Sequence, residues 1–217
     1  MMKIKILFTI VFALCMVNLA AAASSATGKD NGHEYVDLGL SVKWATCNVG
    51  ANTPEEYGDY YAWGESRTKS IYDWSTYELC TQAESKTNSD PTYGIDYITG
   101  KYDAATMKWG KNWRLPTGTE ILELKDKCTW TWTTVKGVHG YKVTGPNGKS
   151  IFLPAAGFRA DSRSINVGTD GYYWTSERGV SSLDNSAEGF YLYFASSDYI
   201  DIAVRRVEGL SIRPVKK

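Results

Sequence analysis

The sequence predicts an α+β protein, built mostly of short antiparallel strands with one or two helices and long loops. Three observations carry that expectation. Apolar and polar residues alternate in short runs, the period of a half-buried strand. Asn147-Gly148 lies between two such runs and is a hairpin signal. Residues 114–128, "RLPTGTEILELKDKC", hold one well-marked helix start in this β-rich setting.

The first residues read as a leader. Lys3 and Lys5 precede an apolar run from Ile6 to Val17, and Ala20 to Ala23 offer small residues for cleavage, so 1–23 is expected to be a signal peptide. The run is short of the about 20 apolar residues of a membrane span, so no transmembrane anchor is expected in the mature chain. Leu14 before Cys15 disfavours lipidation. The expected location is periplasmic, cell-surface or secreted. Residues 24–34 are small and polar, a tether, and 35–217 is long enough for one domain.

Val36, Leu38, Leu40, Val42 and Trp44 alternate with polar or small residues and predict one strand. Residues 48–59 read as a loop and 60–63 as a short strand. From 66 to 101 the periodicity fades, with Tyr72, Trp74, Tyr77, Tyr93 and Tyr97 scattered through polar residues. The expectation is an insertion that folds over the core and pins itself with its own aromatics, although loops of this length are often functional. Asp103 caps a helical turn to Trp109. Thr117 and Glu120 form a capping box, Ile121, Leu122 and Leu124 give an apolar face, and Lys125 and Lys127 suit the C-terminal end of the helix dipole. Strands follow at 129–135, 140–144, 150–153, 172–176 and 189–195. A last strand at 210–215 is confined to an edge or terminus by Pro214. The intervening 159–171, 178–188 and 196–206 read as polar loops. Trp63, Trp113 and Trp174 are assigned to the core.

The chain carries 24 Lys+Arg against 24 Asp+Glu, and loss of Lys3 and Lys5 with the leader leaves 22 against 24. That balance is no footprint for nucleic acid or an anionic membrane. The 15 Tyr and 8 Trp suit both glycan binders and all-β cores. Cys47, Cys80 and Cys128 remain after the leader, so there is at most one intramolecular disulfide and at least one free thiol. His33 in the tether and His139 in a short loop offer no pairing for a catalytic triad, and no Gly-x-Ser-x-Gly elbow is present. Zinc spacings and phosphate-cradling glycine loops are also missing. Acidic pairs for glycoside hydrolysis are available by chance, and the sequence singles none out.

Six fragments occur in order: "YVDLGLSVKWATCNVGA", "EEYGDYYAWGE", "WGKNWRLPTGTE", "GYKVTGPNGKSIFLPAAGFR", "GYYWTSE" and "EGLSIRPV". Together they resemble the Fibrobacter succinogenes major paralogous domain family, common in exported proteins of gut Bacteroidetes, over Tyr35 to Val215. The resemblance implies a C-type lectin-like fold, in which terminal strands pair and long loops rise from a compact base. Arg114 to Thr117 with Glu120 is also similar to the helix start of formylglycine-generating enzymes. Those enzymes use paired thiols after this helix, and no cysteine follows Cys128, so their chemistry is not expected here. The calcium triplets of sugar-binding C-type lectins, Glu-Pro-Asn or Gln-Pro-Asp and Trp-Asn-Asp, are absent. Asp161, Asp170, Asp184, Asp198 and Asp201 are the loop acids that calcium would use, and they read as solvated carboxylates. No cofactor is expected.

In this fold the late loops are where a ligand is expected. Arg159, Asp161 and Arg163 fall in one, Asp184 and Asn185 in the next, and Asp198, Tyr199, Asp201 and Arg205 in the last. Tyr199 offers a stacking face, the acids and amide suit hydroxyls, and the arginines can clamp a carboxylate. The expected function is a non-enzymatic, adhesin- or lectin-like domain recognising a glycan or surface protein. A glycan-active enzyme and a structural subunit of a surface assembly are the alternatives.

Overall fold

The computed structural model describes residues 26–180 and 187–217, and for residues 187 and 198–204 the backbone alone. The leader at 1–23 lies outside the described residues, as do Asp184 and Asn185. The architecture is α+β, and the described residues form two short α-helices and twelve strands in small, mostly antiparallel sheets.

The N-terminal sheet corrects two expectations. The described part of the expected tether at 24–34 is structured, because β1 (Gly28–Asp30) and β2 (His33–Val36) form a hairpin that begins in it. The alternating run 36–44 is not one strand either. Val36 ends β2 and pairs with Trp44 of β3 (Lys43–Ala45), so the chain turns back between them. Gly39 supplies a left-handed φ of 78° in this turn, and its N–H donates to the Asp37 carboxylate. Val36, Leu38, Val42 and Trp44 are all buried; alternation in burial survives while the strand does not.

The helices follow their signals. In α1 (Ala104–Trp109) the Asp103 carboxylate accepts from the Thr106 N–H. In α2 (Gly118–Lys127) the capping box is complete. The Arg-Leu-Pro-Thr entry is fixed on both sides: Arg114 exchanges two backbone hydrogen bonds with Val215, and the Pro116 carbonyl accepts from Ser176 N–H at 2.8 Å. Two guanidinium nitrogens of Arg114 grip Glu120 at 2.8 and 2.5 Å.

β4 (Thr129–Val135), β5 (Val138–Thr144) and β6 (Ser150–Pro154) make a meander, with Asn147-Gly148 at the β5–β6 turn. β7 (Phe158–Ala160) and β8 (Arg163–Ile165) form a tight hairpin inside a stretch expected to be a loop. β9 (Gly171–Val180), β10 (Ala187–Ala195) and β11 (Asp198–Arg205) form the last sheet. The expected loop at 196–206 is therefore mostly strand. The expected strand at 210–215 is instead an extended thread that ends in β12 (Val215–Lys216), which pairs with β3 at the sheet edge.

The last sheet separates two cores. Tyr173, Leu192 and Phe194 pack with α2 and the meander, whereas Trp174 and Tyr191 join Trp63, Trp113 and Leu115 on the other side. Trp63, Trp113 and Trp174 are fully buried. Two of them are cross-bonded: Trp63 Nε1 donates to the Thr175 carbonyl at 3.0 Å and Trp174 Nε1 to the Tyr61 carbonyl at 2.7 Å. Each indole thus satisfies its donor on the chain segment that carries the other. Gly189 permits this packing, since a Cβ there would strike both rings.

Glu120 gives a pH prediction. Burial raises its carboxyl pKa, but Arg114 and the Thr117 N–H outweigh that and hold it below the ordinary value of 4.5. The folded state therefore binds this proton more weakly than the unfolded chain, and the stabilisation is complete above pH 4.5 and lost as pH falls through the lower folded value. Glu120→Gln should cost about 1–3 kcal/mol at pH 7 and flatten the acid limb of a stability-versus-pH curve measured by urea denaturation.

Candidate functional site

The 66–101 segment behaves as a strap across the second core. Tyr72 and Tyr77 are buried with Cys80, Ala62 and Val207 in a third apolar cluster. The Tyr72 hydroxyl donates to the Tyr60 carbonyl at 2.6 Å, and that of Tyr77 to the Trp63 carbonyl at 2.7 Å. The expectation that the insertion pins itself with its aromatics describes this much of it. A polar pin completes the attachment. Arg206 is fully buried, bonds Thr92 Oγ1 and Cys80 Sγ at 2.9 Å each, and pairs with Asp90 at 2.9 Å. Burial opposes ionisation of Asp90, yet the Thr92 N–H and Arg206 hold its carboxyl below the ordinary value.

Where the strap meets the β7–β8 hairpin, a cleft of about 240 Å³ opens. Tyr72 and Asp161 exchange backbone hydrogen bonds of 2.9 and 3.0 Å and join the two walls. Asp161 has a left-handed φ of 51° in the two-residue turn Asp161-Ser162, which short polar side chains tolerate. The wall of the strap gives Asp73 and Trp74, and the hairpin gives Phe158, Asp161 and Arg163. Arg205, Val207 and Glu208 close the third side. Phe158 is backed by Tyr172, with ring centroids 4.7 Å apart.

No family model, curated protein or solved structure matches the chain. Its function is read from the geometry of this cleft.

The structure gathers three of the nine residues nominated from sequence: Asp161, Arg163 and Arg205 line the cleft. Arg159 stands beside it as a tie. Its backbone pairs with Gly209, and its guanidinium donates to the carbonyls of Ser70 and Ser162 at 3.4 and 3.3 Å. Asp198, Tyr199 and Asp201 are not loop residues; they lie on β11, paired with Ala195, Phe194 and Leu192. At about 3.3 Å per residue, Asp198 sits on the order of 20 Å along the strand from Arg205. That separation takes the start of β11 away from the cleft.

Sequence reasoning missed Asp73, Trp74, Phe158 and Glu208. Trp74 was visible only as one aromatic among several in a stretch without periodicity. Glu208 follows β11 in a turn that carries no motif. It is 7 % exposed, and its carboxylate accepts from Arg205 Nη2 at 3.1 Å. Burial raises its pKa, Arg205 partly offsets this, and Asp161 adds to the rise. Arg163 bonds Asp161 at 3.3 Å, with both side chains well exposed.

The two histidines are also relocated. His33 stacks on Trp109, with centroids 3.8 Å apart, and His139 lies in β5. Cys47, Cys80 and Cys128 are all free thiols, so the one bridge that sequence left open does not form among them. Among the described residues, no three His, Cys, Asp or Glu side chains come together in a metal cage, and no helix is long and apolar enough to cross a membrane. Asp170 accepts instead from Asn166 at 2.7 Å and from the Tyr172 hydroxyl at 3.2 Å.

Replacing Arg206 by Met should free the strap. The change leaves Asp90 with only the longer pair to Arg178 at 3.6 Å, so the cost stays below the about 3–5 kcal/mol of a fully unpaired buried charge. Hydrogen exchange should show protection lost from Tyr72 to Thr92, while α2 and the β4–β6 meander stay protected.

Proposed function

We propose that the protein is an exported, non-enzymatic saccharide-binding module whose site is the cleft between the strap and the β7–β8 hairpin. The observation that carries this reading is the convergence of Asp161, Arg163 and Arg205 with the aromatic faces of Trp74 and Phe158. Saccharides are bound by that combination: rings pack on the apolar face of a sugar while charged groups exchange hydrogen bonds with its hydroxyls. A cleft of about 240 Å³ suits one or two sugar units rather than a folded epitope.

The order of fragments that resembles the Fibrobacter succinogenes major paralogous domain supports the same reading. So does the pairing of β3 with β12, since a C-type lectin-like fold brings its terminal strands together. A module of this kind at the cell surface acts as an adhesin or as a glycan-capturing lectin.

One observation favours a second reading, a glycan-active hydrolase. A buried carboxyl with a raised pKa, as at Glu208, is what a general acid needs at neutral pH. This reading requires release of reducing ends from an oligosaccharide, lost in Glu208→Gln.

For the binding module, Trp74→Ala should weaken oligosaccharide affinity about tenfold, the scale of losing one stacked aromatic face. The check is a glycan array followed by titration calorimetry, with thermal unfolding alongside. Affinity unchanged in a folded variant would move the site out of the cleft.

A further inference from the structure

The two guanidiniums that line the cleft, Arg163 and Arg205, leave most of their hydrogen-bond donors unspent. A guanidinium carries five N–H groups. Arg163 spends one on Asp161 at 3.3 Å, and Arg205 spends one on Glu208 at 3.1 Å. Both side chains are mostly exposed, at 72 % and 61 %, so the other donors face the solvent of the cleft. Among the acids, Asp161 is exposed and faces Arg163, whereas Asp73 and Glu208 are less available. Asp73 Oδ1 accepts from the N–H and hydroxyl of Ser75 and from the Thr76 N–H, all within its own turn. Glu208 is buried behind Arg205, where it orients that guanidinium. The unfilled demand is for an acceptor with two oxygens in a plane, which the forked guanidinium matches best.

Resting on the saccharide reading above, we propose that the cleft selects acidic saccharides, with a sugar carboxylate bridging Arg163 and Arg205. Trp74 and Phe158 then pack against the ring that bears this group. Arg163 and Arg205 come from separate elements, the start of β8 and the end of β11, so the bridge spans the cleft rather than one wall. Glu208 is a positioning residue in this arrangement.

The experiment is titration calorimetry of the mature chain with oligosaccharides containing hexuronic or sialic acids, each beside its carboxyl-reduced counterpart. Acidic members should bind about tenfold to a hundredfold more tightly than the reduced forms, the scale of one or two charge-assisted hydrogen bonds. Raising salt from about 0.05 to 0.5 M should erode the difference. Arg163→Ala with Arg205→Ala should abolish the preference while thermal unfolding shows the fold intact, and Arg163→Lys should restore only part of it. Equal binding of acidic and reduced members would overturn the charge selectivity and leave the saccharide cleft standing. A preference that survives the double variant would place the carboxylate elsewhere. If no member binds, acidic or neutral, the saccharide reading itself fails, and this inference with it.

Discussion

The structure depends on one buried cation. Arg213 is about 1 % exposed and reaches four acceptors. Nε donates to Asn48 Oδ1 at 2.9 Å, Nη1 to the carbonyls of Ala45 and Thr46 at 3.1 and 2.9 Å, and Nη2 to the carbonyl of Phe152 at 3.0 Å. Burial lowers its pKa, but arginine starts high enough to keep its charge. None of these four partners is a carboxylate, so oriented amide dipoles compensate the charge. The acceptors come from the end of β3, the loop after it and strand β6. The thread 210–215 therefore cannot leave without stranding all of them. Around Arg213 this thread is also bonded to Tyr61, Val49, Ala45 and Arg114. The last residues of the chain are thus the seam between sheets formed earlier in the sequence.

That seam explains which parts of the fold were legible. The capping box, the Asn-Gly hairpin and the strands at 129–135 and 189–195 are encoded within ten or so residues, and each appears where local chemistry puts it. The run 36–44 misleads because burial and strand geometry are separate properties. Val36, Leu38, Val42 and Trp44 all reach the same core although the chain turns between them, and periodicity cannot distinguish that from a straight strand. The thread 210–215 misleads in the opposite way: it is extended throughout, but its partners change every one or two residues, from Tyr61 to Tyr173 to Val49 to Ala45. Such pairing leaves no ladder, and its logic is entirely non-local.

The site was legible in part for the same reason. Asp161, Arg163 and Arg205 stood out as charged residues in late segments, and they do meet. Their meeting point is set by the strap, whose route no local signal describes. Arg205 and Arg206 show the difficulty at a single peptide bond. The first turns outward into the cleft and the second inward onto Asp90, Thr92 and Cys80. The dipeptide alone gives no reason to separate them, because the partners of Arg206 lie 114 to 126 residues upstream. Glu208 is hidden similarly: a lone glutamate in a turn acquires its character only from its burial in the folded chain.

The two walls of the cleft are held with different strengths, and a ligand bound as proposed would couple to the strap. The hairpin wall is tied by the β7–β8 ladder, by Arg159 to Gly209 and by Phe158 against Tyr172. The strap wall is held by the Tyr72–Asp161 exchange, by the buried Tyr72 and Tyr77 with their hydroxyl bonds, and by the pin at Arg206. It has short helical turns and bends in place of a ladder, so it belongs to the low-stability end of the molecule. Anything that bridges Trp74 to the hairpin adds a tie across the weaker wall. By linkage, binding must then be tighter to the docked strap than to the loosened one, and the docked state is stabilised by as much as the two affinities differ. With the proposed ligand groups on two separately held walls, occupancy would bring order to the strap, while the Arg213 seam would keep the base unchanged beneath it.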